Sequence, residues 1–79
     1  MIAKVYVTLK NGVLDVQGKA VKHSLETLGF NEVNDVRIGK FIELKLSDKI
    51  AHADAEKHVK EMCEKLLANT VIESYRVEL

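Results

Sequence analysis

Proline and tryptophan are absent from the sequence, and only one cysteine, Cys63, occurs among its 79 residues. A single cysteine excludes a disulfide within the chain. It also fits the reducing cytoplasm, as does an N-terminus that lacks the basic-then-apolar layout of a signal peptide. No run of apolar residues approaches the roughly 18 that a membrane-spanning helix needs. We therefore expect a cytoplasmic protein that has no membrane partner and is stabilised without covalent cross-links.

An excess of charge of either sign is also lacking, because 12 lysine and arginine residues balance 12 aspartate and glutamate residues. A protein that binds nucleic acid through phosphate contacts normally carries a clear basic excess. The segment "RIGKFIEL" matches the signature of RNA-recognition motifs only in part, and it places Glu43 beside Phe41. No nucleic-acid partner is therefore expected.

The length of the chain predicts a single domain, residues 1–79. Its hydrophobic content of 47% is that of a folded globular domain. A single core rarely supplies more than a few kcal/mol to a domain below about 80 residues, so such domains usually add disulfides, metals or self-association. With no disulfide available, we expect the chain to oligomerise.

Hydrophobic periodicity divides the chain into six elements. The predicted strands span 3–9, 33–38, 41–46 and 71–79, and the predicted helices span 16–28 and about 53–68. Asp15 is a good N-cap for the first helix, and Gly29 lies where a left-handed C-cap is wanted. The order βαββαβ with right-handed crossovers predicts an α+β, ferredoxin-like sandwich. In this arrangement a four-stranded antiparallel sheet carries both helices on one face.

Three sets of apolar side chains are expected to face the core. Strand 41–46 turns Ile42, Leu44 and Leu46 inward. The helical stripes are Val16, Ala20, Val21, Leu25 and Leu28 in the first helix, and Ala55, Val59, Met62, Cys63, Leu66 and Leu67 in the second. Either Asp48 or Asp54 is suitable as the N-cap of the second helix. Gly18, in the first turn of the first helix, predicts a close approach of another part of the chain.

The opposite face of the predicted sheet is left uncovered. It would display Tyr6, Thr8, Arg37, Phe41, Glu43, Ile72 and Arg76. An uncovered sheet face with several large apolar groups is more often an interaction surface than a solvated one. We expect Tyr6, Arg37 and Phe41 to contact a protein partner.

Candidate catalytic and metal-binding residues are few. No two of the histidines, His23, His52 and His58, stand four residues apart, the spacing at which two histidines on a helix bind one metal ion. Cys63 lies in the middle of a helix on its apolar side, which is typical of a structural cysteine. The glycines form no phosphate-binding loop. The sequence therefore predicts no catalytic residue, no metal site and no cofactor site in this chain.

Three longer segments carry a resemblance to a known family. They contain the motifs "GVLD-x-QGKAV", "V-x-DVRIGK" and "MCEKLLAN-x-VIE". Together they resemble the PurS family, the small subunits of the multi-subunit phosphoribosylformylglycinamidine synthase of purine biosynthesis. The family usually has proline where this chain has Val16 and Thr70. Both positions suit proline for its fixed backbone, so the replacements should cost some rigidity and leave the role intact.

The resemblance implies an accessory subunit of a ligase. The parent enzyme converts formylglycinamide ribonucleotide, ATP and glutamine into the amidine, ADP, phosphate and glutamate. A glutaminase subunit releases ammonia, and a large synthetase subunit uses ATP and magnesium. The small subunit is expected to form a dimer or tetramer, to bridge these two partners and to help seal the ammonia path. The alternative is an amino-acid-binding regulatory domain of the same ferredoxin-like topology.

Overall fold

The computed structural model describes all 79 residues of the chain as an α+β fold. The elements are β1 (Ile2–Leu9), α1 (Val16–Thr27), β2 (Gly39–Lys45), α2 (His52–Met62) and β3 (Glu73–Glu78), and a π-helical turn (Cys63–Leu67) follows α2 directly. No helix in the chain combines the length and the apolar character that crossing a membrane requires.

The sheet has three strands in the order β2-β1-β3, and both pairings are antiparallel. Segment 33–38 is not a strand, so the prediction of a fourth strand there, paired as a hairpin with 41–46, is wrong. This segment gives its backbone donors to carboxylates instead of to a neighbouring strand. Val36 N donates to Asp35 Oδ1, and Ile38 N donates to Asp15 Oδ2. A backbone N–H group that donates to a carboxylate is not available for a hydrogen bond to a neighbouring strand.

The core lies between the inner face of the sheet and α2. Val5 and Val7 of β1 meet Val59 and Cys63, and all four are fully buried. As predicted, Ile42, Leu44 and Leu46 pack against this core from β2 and the residue after it. Only 9 of the 79 residues are buried, so the core is small even for a chain of this length.

The end of the second helix differs from the prediction. Ala68 N donates to Cys63 O at 3.0 Å, an i to i+5 bond that widens the last turn into a π-helix. Leu66, within this turn, is 82% exposed and Met62, before it, is 39% exposed, although helical spacing placed both in the buried stripe. The N-cap is Ala51, without a side-chain hydrogen bond, so neither Asp48 nor Asp54 caps the helix. Asp48 instead lies 3.2 Å from the N-terminal ammonium group.

The ends of α1 agree with the prediction. Asp15 is the N-cap and accepts a hydrogen bond from Gly18 N. At the other end Gly29 has a φ of +96°, the left-handed conformation that glycine adopts without strain. Gly29 N donates to Glu26 O and Phe30 N to Leu25 O, the hydrogen-bond pair of a Schellman motif.

The position of α1 contradicts the expected two-helix layer. It barely touches the sheet, and Gly18 is its only buried residue. Its apolar stripe faces outward, with Val16 68% and Leu28 72% exposed. No strand makes more than sparse contact with this helix, so α1 and α2 do not form one layer on the sheet. The molecule is therefore elongated, 50 × 24 × 14 Å. Its radius of gyration is 16.0 Å, against about 12 Å for a compact domain of this length.

Candidate interaction surfaces

The outer sheet face is the side of the sheet that α2 does not cover. Strand register places ten residues on it: Ile2, Lys4, Tyr6, Thr8, Phe41, Glu43, Lys45, Ser74, Arg76 and Glu78. These side chains alternate with the core residues because successive residues of a strand point to opposite faces. No element of the chain lies over them.

An aromatic and cationic cluster occupies the centre of the outer sheet face. Tyr6 pairs with Phe41 on one side and with Arg76 on the other. The two ring centroids are 5.2 Å apart and tilted by 36°, and the guanidinium carbon of Arg76 lies 4.2 Å from the centroid of Tyr6. Such a cation–π contact fixes the arginine over the ring. Phe41 remains 55% exposed, which makes the cluster a raised apolar patch.

Charges of both signs surround this cluster. Lys4 stands opposite Glu43 on β2 and opposite Glu78 on β3. Arg76 also forms an ion pair with Glu78 at 3.0 Å. The face carries three basic and two acidic side chains, so it can meet a copy of itself without a strong repulsive field. It offers no concentrated positive charge for phosphate groups.

The structure brings together two of the three predicted contact residues. Tyr6 and Phe41 are direct cross-strand neighbours. Arg37 precedes β2, and its guanidinium donates to the carbonyl oxygens of Leu9 and Lys10, so its expected strand position is wrong. Arg76 was counted among the outward residues but not among the contacts. The alternation of the last strand, with Tyr75 and Val77 inward, was the signal that could have selected it.

A second group of residues connects α1 to the segment before β2. We call it the clasp, and it consists of Asp15, Gly18, Val36, Arg37 and Ile38. The carboxylate of Asp15 accepts from Gly18 N at 2.7 Å and from Ile38 N at 2.8 Å, and the residue is only 7% exposed. These two hydrogen bonds, aided by the charge of Arg37, lower the pKa of Asp15 below its usual 3.8.

Gly18 completes the clasp because it has no side chain. A Cβ at this position would lie 2.3 Å from Val36 O, which is an impossible contact. The close approach predicted for Gly18 is therefore confirmed, and the neighbour is the backbone carbonyl of Val36. Sequence reasoning identified Asp15 only as a helix cap, because no local pattern reveals its second acceptor role toward Ile38.

Residues with reactive side chains are dispersed. His23, His52 and His58 are exposed, and no three histidine, cysteine or acidic side chains are close enough to hold a metal ion. Cys63 is fully buried in the core. Burial, with a smaller contribution from the charge of Glu64, raises the pKa of its thiol. A buried thiol of raised pKa is a poor nucleophile.

Comparison with known families identifies the chain's relatives. The sequence model of PurS, described as phosphoribosylformylglycinamidine (FGAM) synthase, matches residues 2–79. The chain belongs to the PurS family. Two of the motifs quoted above for PurS, those that contain Asp15 and Arg37, meet in space at the clasp.

Individual PurS proteins support this assignment. The phosphoribosylformylglycinamidine synthase subunit PurS of Bacillus subtilis is 59% identical over 76 residues, which cover 96% of this chain and 88% of the relative. A solved structure of B. subtilis PurS superposes with a TM-score of 0.86 at 58% identity, over 98% of this chain and 94% of that one. A chain of PurLQS from Thermotoga maritima has a TM-score of 0.73 at 27% identity, over 99% of this chain and 96% of that one.

Proposed function

We propose that this PurS chain is the non-catalytic bridging subunit of phosphoribosylformylglycinamidine synthase in purine biosynthesis. The observation that carries the proposal is the family match over residues 2–79 of a chain whose exposed features are docking surfaces. The likeness to a chain of PurLQS, a multi-subunit assembly, supports a role in complex formation. The family match does not support the amino-acid-binding regulator that was considered as the alternative.

In this role the chain acts on the partners and not on the substrates. A glutaminase subunit releases ammonia from glutamine, and a large synthetase subunit uses ATP and magnesium to activate the formamide oxygen. Ammonia that escapes into water takes up a proton and loses its nucleophilicity. A subunit that docks the two partners and excludes water from their junction raises the yield of transfer. This chain needs no cofactor for that task, and the cytoplasm is its proposed location.

Self-association is part of the proposal. The accessible surface is 5863 Å², against about 4,800 Å² expected for a compact monomer of this mass. The excess of about 1,000 Å² matches the roughly 800 Å² that each partner buries in a standard protein interface. The occupant we propose is a second copy of the chain, because the outer sheet face has an apolar centre flanked by charges of both signs, which a copy of the same face can match. A dimer is the minimum state, and two dimers could form a tetramer.

Contact residues are proposed on the same grounds. Tyr6 and Phe41 form the raised centre of the outer sheet face. Arg37 is exposed and lies at the end of β1, where its guanidinium is held by Leu9 and Lys10. We propose that Arg37 contacts a partner at that end of the sheet. The α1 stripe (Val16, Ala20, Val21, Leu25 and Leu28) adds a second apolar surface that needs cover.

Reconstitution with the separate synthetase and glutaminase subunits tests the function. We expect FGAM formation from glutamine to require this chain, and a pull-down to recover all three subunits in the presence of glutamine and ADP. Synthesis supported by added ammonia is the control, because it bypasses the glutaminase and should change little. Equal glutamine-dependent rates with and without the chain would contradict the proposal.

A further inference from the structure

The direction of α1 is not set by packing on the sheet. Gly18 is the only buried residue of the helix, and contacts between α1 and each strand are sparse. Yet the elongated shape of the molecule depends on where this helix points. A helix without a packed face moves freely unless specific bonds restrain it. The clasp contains the bonds that can do so.

The carboxylate of Asp15 joins two parts of the chain with its two oxygens. Oδ1 accepts from Gly18 N in the first turn of α1, and Oδ2 accepts from Ile38 N, just before β2 begins. The two donors are far apart in sequence. One buried side chain therefore ties the start of the helix to the start of a strand. Charge-assisted bonds of this kind are stronger than bonds between neutral groups.

Two further contacts make the connection stiff. Val36 O occupies the space that a side chain at Gly18 would need, so the helix and the segment 36–38 lie in direct backbone contact. Arg37 then donates to Leu9 O and Lys10 O, the second at 3.1 Å, which attaches the same segment to the end of β1. Hydrogen bonds and a backbone contact thus connect α1, through segment 36–38, to β1, the central strand.

We propose that Asp15 and Gly18 are positioning residues that hold α1 as a rigid arm at a fixed angle to the sheet. This fixed angle is a property of each copy and needs no partner.

Asp15→Asn separates the two bonds of the carboxylate. The amide oxygen of asparagine can still cap the helix through Gly18 N, but its NH₂ group cannot accept from Ile38 N. We expect amide exchange at Ile38 to accelerate about tenfold, as for the loss of one hydrogen bond, and exchange at Gly18 to change little. Residual dipolar couplings should show that α1 no longer shares one alignment with the sheet.

Asp35→Asn is the matched control. It makes the same charge change, but Asp35 accepts only from the neighbouring Val36 N, and an asparagine oxygen can replace it there. The control should retain a single alignment. Unchanged Ile38 exchange and unchanged couplings in Asp15→Asn would overturn the proposal. Should Asp15→Asn fail to fold, the unmodified protein decides, because separate alignments for α1 and the sheet would also overturn it.

Gly18→Ala provides a test in which two effects have opposite signs. Alanine is the better helix former, so in a free arm it would raise the melting temperature. In the clasp its Cβ collides with Val36 O, and we expect the melting temperature to fall. Ser24→Ala, at an exposed position of the same helix, is the control and should raise it slightly. A rise for both variants would overturn the proposal.

The failure of this proposal is distinguishable from failure of the proposed function. Exchange, couplings and melting require only this chain. An intact single alignment in a protein that does not support glutamine-dependent synthesis would contradict the function alone. Separate alignments of α1 and the sheet in an unmodified chain that still supports synthesis would contradict the clasp alone.

Discussion

Different interactions stabilise the two ends of this molecule. At one end α2 covers the inner face of the sheet, and buried valines with Cys63 form a dry core. At the other end α1 leaves its apolar stripe exposed and is joined to the rest by a carboxylate, a guanidinium and a missing side chain. Burial stabilises the first end within one chain. The second end is held within the chain by hydrogen bonds, and its apolar stripe stays exposed.

Truncation of a valine to alanine should reduce the free energy of unfolding more at the α2 end than at the α1 end. Val59→Ala removes two fully buried methyl groups, so we expect a loss of about 2–3 kcal/mol in the free energy of unfolding, from transfer and cavity costs. Val16→Ala on the exposed stripe should change the stability of the dissociated chain by no more than about 0.5 kcal/mol. Denaturant titration at low protein concentration measures both. Equal losses would contradict the division into two ends.

Dependence on protein concentration sharpens the same contrast. Phe41→Asp places a charge at the centre of the outer sheet face, and we expect it to weaken self-association by about 2 kcal/mol or more. Sedimentation should then show monomers where the unmodified chain is associated. Leu66→Asp is the control, since Leu66 is an even more exposed apolar residue in the π-helical turn after α2, away from that face. An unchanged, folded oligomer for Phe41→Asp would refute the role assigned to Phe41.

Low pH should weaken the attachment of α1 to the rest of the chain. The pKa of Asp15 is lowered in the folded chain by its bonds to Ile38 and Gly18. The stabilisation is therefore complete above the ordinary pKa of 3.8 and declines as the pH falls through the lower, folded value. Glu26, whose pKa Lys22 lowers, contributes with the same sign. The difference between the unmodified chain and Asp15→Asn isolates Asp15, and this difference should shrink below about pH 4. If the difference in stability between the two proteins stays constant at lower pH, the stabilising role of the Asp15 carboxylate is contradicted.

Local patterns predicted most of the elements and much of the core. Alternation placed β1 and the inward side of β2, and the cap at Asp15 marked the start of α1 to the residue. Two of the errors depend on a contact, present or missing, with a part of the chain that is distant in sequence. Segment 33–38 has the alternation of a strand, but Asp15 takes the donor of Ile38. The stripe of α1 has the spacing of a core helix, but nothing in this chain covers it.

The candidate site shows the same division between local and distant information. The motifs with Asp15 and Arg37 predicted the family, and the family match confirmed it. The outward side of Tyr6 and Phe41 followed from strand alternation and is confirmed by the register. Their role as contacts stays a prediction. Helical spacing wrongly placed Met62 and Leu66 in the core stripe, since spacing does not show which side of a helix the sheet covers.

The central place of β1 in the sheet has a consequence for folding kinetics. Its pairing with β3 brings Lys4 opposite Glu78, so forming that ladder closes a loop of nearly the whole chain. Native contacts so remote along the chain raise the contact order, and a high contact order slows the search for the native state. Until the ladder closes, one edge of β1 lacks its partner strand, so we expect aggregation during refolding to increase with protein concentration.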